Sequence, residues 1–300
     1  MKKLFCTLLS AAAAVALLCG FTPSAQENSA GAGLITKTYE TAEAISSVNV
    51  SDKYADVNVQ AADVDHVTVE YSYNSSYNDA FGTGGDLYSF TIAGPTLNIQ
   101  GLKGDASMSV NNSKRTCTLT VKLPRKAFAS LTVDTSNGNI TIQDMTSQSN
   151  TLTTTNGNIS ITGGSLDNLS ATANNGKVEV ANLLTQTFAA STRNGRISLS
   201  NTSALSITAK AQNGSINLDT VSSPVYHCTV TNSSIVGNLV GRAADYAFDL
   251  TPGNGRVTVT DDSDSSFALR SNGPVQQGQG AAQSFTASTS NGSVTLEFAP

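Results

Sequence analysis

Cysteine and histidine are the side chains best suited to nucleophilic or metal chemistry, and this 300-residue sequence has few of them. After residue 25 the cysteines are Cys117 and Cys228, and the histidines are His66 and His227. His227 and Cys228 are adjacent, but neighbouring residues of a strand point to opposite faces. They therefore cannot form a nucleophile–base pair or share a metal ion. We expect both histidines to be ordinary surface residues.

An acidic cluster, DDSDSS at residues 261–266, offers hard oxygen ligands of the kind that bind Ca²⁺. The candidate ligands are Asp261, Asp262 and Asp264. The spacing of an EF-hand loop and its terminal Glu are missing, and so is the nonapeptide repeat that binds Ca²⁺ in other solenoids. The pattern favours a solvated turn, and we predict no bound metal and no cofactor.

Carboxylates that act as a general acid and a general base must converge on one face, as they do in glycoside hydrolases. Asp144, Asp219 and Asp249 do not fall at one position of the repeat that runs through this sequence. The remaining polar residues are mainly Ser, Thr and Asn. We therefore predict that the protein has no catalytic residues and is not an enzyme.

The elements that would position any functional side chain repeat along the chain. An Asn-Gly pair, or a close variant, recurs every 19 residues from Asn137 to Asn232 and less regularly afterwards. Self-similarity at a fixed short period is typical of solenoids. The pairs are Asn137-Gly138, Asn156-Gly157, Asn175-Gly176, Asn194-Gly195, Asn213-Gly214, Asn232-Ser233, Asn254-Gly255, Asn272-Gly273 and Asn291-Gly292.

Apolar residues keep fixed positions relative to each Asn. The positions three and five residues after it, and six and four before it, are mainly apolar, and the residues between them are mainly polar. This alternation has a period of two, so each copy is predicted to contain two short strands with a corner at Asn-Gly. Because charged residues make up only 13% of the chain and Ser, Thr and Gly are abundant, the composition also favours strands and tight turns over helices.

An Asn-Gly turn between two strands is often a β-hairpin, but here the repeat favours parallel stacking. Each position keeps its chemical type from copy to copy, so like residues are expected to lie over one another at about 4.8 Å per coil. We predict an all-β fold, a single-stranded parallel β-helix (solenoid) of nine coils with about 19 residues per coil. At the corner we expect positive φ angles, which Gly and Asn tolerate, and a ladder of Asn side chains.

The same stacking separates the two cysteines. Cys228 lies in the sixth predicted coil and Cys117 precedes the first, which places them about 25 Å apart along the axis. A disulfide requires Cα atoms within about 7 Å. We therefore expect two free, buried thiols.

The N-terminus has the pattern of an export signal. Lys2 and Lys3 precede an apolar stretch, and Ser24-Ala25 offers a cleavage site with small residues. A membrane anchor and lipid attachment at Cys19 are the alternatives, and no transmembrane segment is expected after cleavage. The predicted organisation is a signal peptide at 1–25, a flexible lead at 26–37, irregular N-terminal β coils that cap the solenoid at 38–126, and regular coils at 127–300.

The segment LTVKLPRKAFASLTVDTSNGNITI at 119–142, followed by repeated NGxIxL units, resembles the bacterial "putative adhesin" β-solenoid family, whose molecular function is unknown. The resemblance extends from about residue 40 to residue 300. It implies a right-handed, β-helix-like domain on or outside the bacterial envelope, and it transfers no catalytic residues. The chain departs from the simplest pattern at Ser233 and in the segment GRAADYAFD.

Net charge limits the partners. The formal charge is −5, and it becomes −7 once Lys2 and Lys3 are removed, which argues against nucleic acid and anionic lipid. We predict an exported, extracellular or envelope-located, non-catalytic protein that binds a carbohydrate or protein surface through many weak contacts, as an adhesin or scaffold. The alternative is a structural or signalling module of the envelope that self-associates or binds a membrane partner. An enzyme acting on polysaccharides is the weakest alternative.

Overall fold

A computed structural model describes residues 22–24, 34–74, 87–101 and 117–300. In these residues the chain is almost entirely β-structure, with one short 3₁₀ turn at Ala243–Asp245. The strands are β1 (Thr22–Ser24), β2 (Leu34–Thr41), β3 (Ser47–Ser51), β4 (Asp56–Ala62), β5 (Val67–Asn74), β6 (Tyr88–Ala93), β7 (Thr96–Gly101), β8 (Cys117–Pro124), β9 (Ala127–Thr135), β10 (Ile140–Gln143), β11 (Thr146–Thr154), β12 (Ile159–Thr162), β13 (Ser165–Ala173), β14 (Val178–Ala181), β15 (Leu184–Thr192), β16 (Ile197–Ala211), β17 (Ile216–Ser222), β18 (Val225–Val230), β19 (Ile235–Val240), β20 (Tyr246–Pro252), β21 (Val257–Asp261), β22 (Ala268–Ser271), β23 (Val275–Gln277), β24 (Gln283–Thr289) and β25 (Val294–Ala299).

Parallel pairing builds the body of the fold from ten layers, each of which supplies one strand to each of two stacks. The first stack runs β7, β3, β9, β11, β13, β15, β16, β18, β24 and β20. The second runs β8, β4, β10, β12, β14, β16, β17, β19, β25 and β21. The long strand β16 belongs to both stacks, because it ends one layer and begins the next.

The register of the central layers follows the sequence repeat. Ile140 pairs with Ile159, Ile159 with Val178 and Val178 with Ile197, so each residue lies beside the one 19 positions later. Like residues therefore stack, and the predicted all-β, mostly parallel arrangement of the β-solenoid type is confirmed.

Apolar columns fill the interior. The column three residues after each Asn is fully buried in eight layers, because alternate residues of a strand point inward. Its members are Ile140, Ile159, Val178, Ile197, Ile216, Ile235, Val294 and Val257. Among the described residues, aromatic side chains concentrate at both ends of the stack. The rings of Tyr71 and Tyr88 are 4.8 Å apart near the N-terminal end. Near the C-terminal end the rings of Tyr226 and Phe285 are 4.7 Å apart and those of Tyr246 and Phe298 are 5.1 Å apart.

A ladder of amide hydrogen bonds runs up the Asn-Gly corner. Asn156 Nδ2 donates to Asn137 Oδ1 at 2.8 Å, and the same bond repeats upward through the stack with lengths of 2.7 to 2.9 Å. The ladder visits Asn137, Asn156, Asn175, Asn194, Asn213, Asn232, Asn291 and Asn254, in that order.

The predicted positive φ at this corner is wrong. None of the ladder asparagines, nor of the glycines that follow them, is among the described residues with positive φ. Glycine is needed for space instead. A Cβ on Gly157 would overlap the carbonyl oxygen of Gly138 in the layer beneath, and Gly176, Gly195 and Gly214 meet the same obstacle.

Positive φ angles occur at a different corner, which the sequence reasoning missed. They recur every 19 residues at Asp144 (54°), Gly163 (71°), Asn182 (57°), Asn201 (46°) and Thr220 (56°). Asp, Gly and Asn are the residues that adopt this conformation most readily, so their shared column was an available signal.

The C-terminal layers are not stacked in chain order, which corrects the prediction of nine successive coils. β24 pairs with β18 on one side and with β20 on the other, so the last layer (283–299) is inserted between the layers of β18 and β20. The chain between them returns as two antiparallel strands, β22 and β23, which cover the end of the stack. Asn272-Gly273 lies between these two strands rather than in a coil.

The N-terminal layers show the same inversion. β3 and β4 (47–62) lie between the layer of β7 and β8 and the layer of β9 and β10, although they precede both in sequence. Antiparallel strands cover this end too, since β6 pairs with β7 and β5 pairs with β8 and β2. Among the irregular N-terminal strands, β2, β5 and β6 thus cover the end of the stack, and β3 and β4 form an inner layer.

Candidate functional site

The two cysteines are poorly suited to nucleophilic chemistry. Both are free, and the layers of β8 and β18 that carry them are seven steps, or about 34 Å, apart. Burial raises the pKa of Cys228 to about 12. Burial is also the main cause that raises the pKa of Cys117 to about 11, with Tyr88 Oη 3.7 Å from its sulfur. At neutral pH both thiols are protonated and hence poor nucleophiles.

The histidines and the scattered carboxylates do not converge. His66 is exposed between β4 and β5, and His227 is exposed on the outer face of β18. Asp144 follows β10, Asp219 lies in β17 and Asp249 in β20, which are three different layers. This geometry supplies no acid–base pair among these residues.

The candidate calcium ligands of residues 261–266 include two carboxylates that accept hydrogen bonds and so stabilise a turn. Asp261 is buried, and its Oδ2 accepts the Ala243 N–H at 2.7 Å while its Oδ1 accepts the Ser263 N–H at 2.9 Å. Burial opposes ionisation of Asp261, but these hydrogen bonds and one from the Ser263 hydroxyl outweigh it and hold the pKa of Asp261 below its usual value. In the same way the Ser266 hydroxyl and N–H lower the pKa of Asp264.

Asp262 is exposed beside this turn. Within the described ranges, no group of three or more His, Cys, Asp and Glu residues is placed to hold a metal ion.

A face rich in hydroxyl groups covers the outside of the first stack. Two outward columns, five and three residues before each ladder Asn, run through β9, β11, β13, β15, β16, β18, β24 and β20. We call their Ser and Thr residues the hydroxyl face. They are Thr132, Thr151, Ser170, Thr208 and Thr286 in one column, and Thr153, Thr172, Ser191, Thr229, Ser288 and Thr251 in the other.

Most of these hydroxyls are available to a ligand. Thr172 Oγ1 and Ser191 Oγ are 3.3 Å apart, and the other hydroxyls of this face form no side-chain hydrogen bond to any described residue. Adjacent layers are about 4.8 Å apart, so the groups form a regular grid. Such a grid can donate and accept many individually weak hydrogen bonds.

A shallow groove of about 530 Å³ crosses this face where β13, β15, β16 and β18 end. Thr172, Ser191, Lys210 and Thr229 follow one another along it, and Arg193 also lines it. None of the described residues that line the groove is acidic.

The sequence reasoning did not single out Arg193 or Lys210. The signal was present, because each is the one basic residue in its outward column of the repeat, and the two columns are separated by a single intervening residue. Each looks isolated in sequence, and only the layer register brings the two side chains to one groove.

A comparison with protein families identifies the chain. The model of a family described as Toastrack DUF4097 matches residues 45–297. The chain belongs to the Toastrack DUF4097 family. The resemblance that the repeats suggested is therefore confirmed for most of this Toastrack chain.

Several solved structures of low identity are similar to this chain. A "putative adhesin" from Bacteroides fragilis is 14% identical, with a TM-score of 0.47 over 90% of this Toastrack chain and 98% of that one. A "putative cell adhesion protein" from Clostridium sporogenes is 9% identical, with a TM-score of 0.30 over 89% and 100% of the two chains. A "putative lipid binding protein" from Parabacteroides distasonis is 14% identical, with a TM-score of 0.42 over 89% and 97%. These likenesses carry no argument about the ligand.

No curated protein matches this Toastrack chain significantly. In the part of the chain that the structure describes, no helix is long and apolar enough to cross a membrane.

Proposed function

We propose that this protein is a non-catalytic surface-binding protein, an adhesin or scaffold, that acts outside the cell or in the envelope. In this proposal residues 1–25 are a cleaved signal peptide, and the mature chain is a right-handed solenoid of about 19 residues per coil. Right-handedness is expected because parallel strand–crossover–strand connections are almost always right-handed.

The hydroxyl face is the single observation that carries the proposal. Its outward Ser and Thr side chains, most of them without a side-chain hydrogen bond to a described residue, repeat over eight layers on a surface with few charges and a shallow groove. One hydroxyl contributes little to affinity, but a repeating ligand engages many at once, and linked weak contacts give high avidity. Carbohydrate polymers suit this grid best, since they present hydroxyl groups at regular intervals.

Glycan arrays and whole-cell binding test this function with the mature protein. The triple variant Thr151→Ala/Ser170→Ala/Thr208→Ala removes three outward hydroxyls of one column, from β11, β13 and β16. Each net hydrogen bond is worth at least about 0.5 kcal/mol, so we expect about a tenfold loss of glycan affinity.

The control replaces three outward polar side chains on the second stack. Ser160→Ala/Ser198→Ala/Asn217→Ala alters outward residues of β12, β16 and β17 and should leave glycan affinity within about twofold. Arrays and cells that bind the unmodified protein no better than background would contradict the proposed function.

Assembly end to end, the alternative considered from sequence, has less support. The C-terminal end of the stack is covered by β22 and β23, which are only four and three residues long. Short antiparallel edge strands are one way in which proteins prevent edge-to-edge association.

A further inference from the structure

The groove on the hydroxyl face concentrates positive charge. Lys210 in β16 pairs in register with Ser191 of β15, and Arg193 is two residues beyond Ser191. A step of one layer and two residues places the Cα atoms of Arg193 and Lys210 about 8 Å apart. Both side chains are exposed, so one ligand can contact the two cations together.

These two cations lack the carboxylate partners that neighbouring cations have. Lys177 and Arg196, at the adjacent corner, both lie near Glu179, at 3.8 and 3.4 Å. No described carboxylate forms an ion pair with Arg193 or Lys210. Two acidic residues, Asp134 and Asp249, lie in the columns of this face. Asp134 is three layers away from Arg193, and Asp249 is three layers away from Lys210. That distance is about 14 Å, which exceeds the Debye length at physiological salt.

The surrounding groups favour a saccharide over other anions. Hydroxyls of Thr172, Ser191 and Thr229 and the amide of Gln212 line the same groove, and they suit sugar hydroxyls. The guanidinium of Arg193 can hold a carboxylate through two parallel hydrogen bonds, and Lys210 adds a point charge. A nucleic acid would need a larger basic footprint and aromatic residues for base stacking.

We infer that the Arg193–Lys210 groove selects acidic polysaccharides, whose carboxylates it binds while the hydroxyl face contacts the neighbouring sugars. This inference rests on the proposed function, because it assigns a ligand class to the same face. It makes the groove a specificity site and the remainder of the face a source of avidity.

The test measures binding of the mature protein to polygalacturonate, alginate and hyaluronate, each beside its carboxyl-reduced form. We expect the acidic form to bind more tightly, and the variant Arg193→Gln/Lys210→Gln to weaken that binding about tenfold at low salt. The same variant should leave binding to the carboxyl-reduced forms within about twofold. Preference for the acidic form should decrease as salt increases.

The matched control removes two positive charges elsewhere. Arg256 precedes β21 of the second stack and Arg270 lies in β22, which pairs with β21, and Arg256→Gln/Arg270→Gln should leave binding of the acidic forms within about twofold. An equal loss in both double variants would show a general charge effect and overturn the inference.

The remaining outcomes distinguish failure of this inference from failure of the proposed surface-binding function. Binding of neutral and acidic forms with equal affinity, unchanged in Arg193→Gln/Lys210→Gln, overturns the groove assignment and leaves the surface-binding function in place. A protein that binds no polysaccharide of either kind overturns both. An oligonucleotide bound as tightly as the polysaccharides also overturns the saccharide assignment.

Discussion

Asn150 is the polar member of an apolar column. In the neighbouring layers the same position holds Leu131 and Leu169, and Asn150 itself is 2% exposed. Its Nδ2 donates to the carbonyl oxygens of Ser147 and Asn168, at 3.2 and 3.3 Å. Its Oδ1 has no hydrogen-bond partner, and neither has the Ser147 hydroxyl. An unsatisfied buried polar atom costs about 1–3 kcal/mol.

Replacing Asn150 with Leu should therefore stabilise the protein. Leucine matches the residues above and below it, removes the unsatisfied oxygen, and gives up two long hydrogen bonds. We expect the free energy of unfolding to increase by about 1 kcal/mol, measured by urea denaturation.

Asn217→Leu is the matched control, since Asn217 points outward from β17. Its substitution should change the free energy of unfolding by less than about 0.5 kcal/mol. A loss of stability in Asn150→Leu would mean that the amide of Asn150 is satisfied and the column requires it.

At the scale of the element, the identical dipeptides Asn194-Gly195 and Asn272-Gly273 have different surroundings. Gly195 belongs to the ladder corner, where a Cβ would overlap the backbone oxygen of Gly176 in the layer below. Gly273 follows the same residue type but lies between β22 and β23, where the nearest atom to an added Cβ is Ser271 Oγ at 4.0 Å. Close approach of layers, and not backbone conformation, therefore requires the corner glycine.

Gly195→Ala and Gly273→Ala form a matched pair of substitutions. We expect Gly195→Ala to lower the free energy of unfolding by about 3 kcal/mol, because the two layers must move apart. Gly273→Ala should change it by less than about 0.5 kcal/mol, since the site is open. Thermal and urea unfolding of both variants measure this difference, and equal effects would show that the corners are not in contact.

At the scale of the whole molecule, the last layer in sequence lies between two other layers and not at the end of the stack. Phe285 in β24 and Phe298 in β25 are fully buried between the layers of β18–β19 and β20–β21. In a solenoid stacked in chain order, a terminal layer has one neighbour, and its loss costs one interface. Here the last layer has two neighbours, so its loss exposes two interfaces.

Ending the chain after residue 282 should therefore do more than shorten the stack. We expect the layer of β20 and β21 to lose its packing and to expose apolar surface, with lower cooperativity in urea unfolding and increased binding of a hydrophobic dye. Phe285→Ala, which keeps the layer, should cost about 3–5 kcal/mol.

Deletion of Pro300 alone is the control, because this residue follows β25 and is exposed. It should leave unfolding unchanged. A chain shortened after residue 282 that unfolds with the full cooperativity of the intact protein would contradict the inserted arrangement.

The sequence by itself determined the repeating body of this protein. Alternation of period two specifies which side chains face inward, and a constant 19-residue spacing places like on like, so the paired columns from Ile140 to Ile235 and the Asn ladder are readable without coordinates. Asn150, Arg193 and Lys210 differ in type from the other residues of their columns, and this difference is visible in the sequence repeat. The sequence does not show what each of them does in the structure. Whether such a residue is buried or shares a groove with another depends on its neighbours in adjacent layers.

Only the tertiary structure decided the order of the layers at both ends. Every layer presents nearly the same columns to its neighbours, so the chemistry that makes stacking favourable does not specify which layer lies on which. The insertion of β3–β4 and of β24–β25 follows instead from long-range pairing and from the antiparallel strands that return the chain. The cause of the corner glycines was likewise hidden, because a single chain segment does not reveal how closely the next layer approaches it.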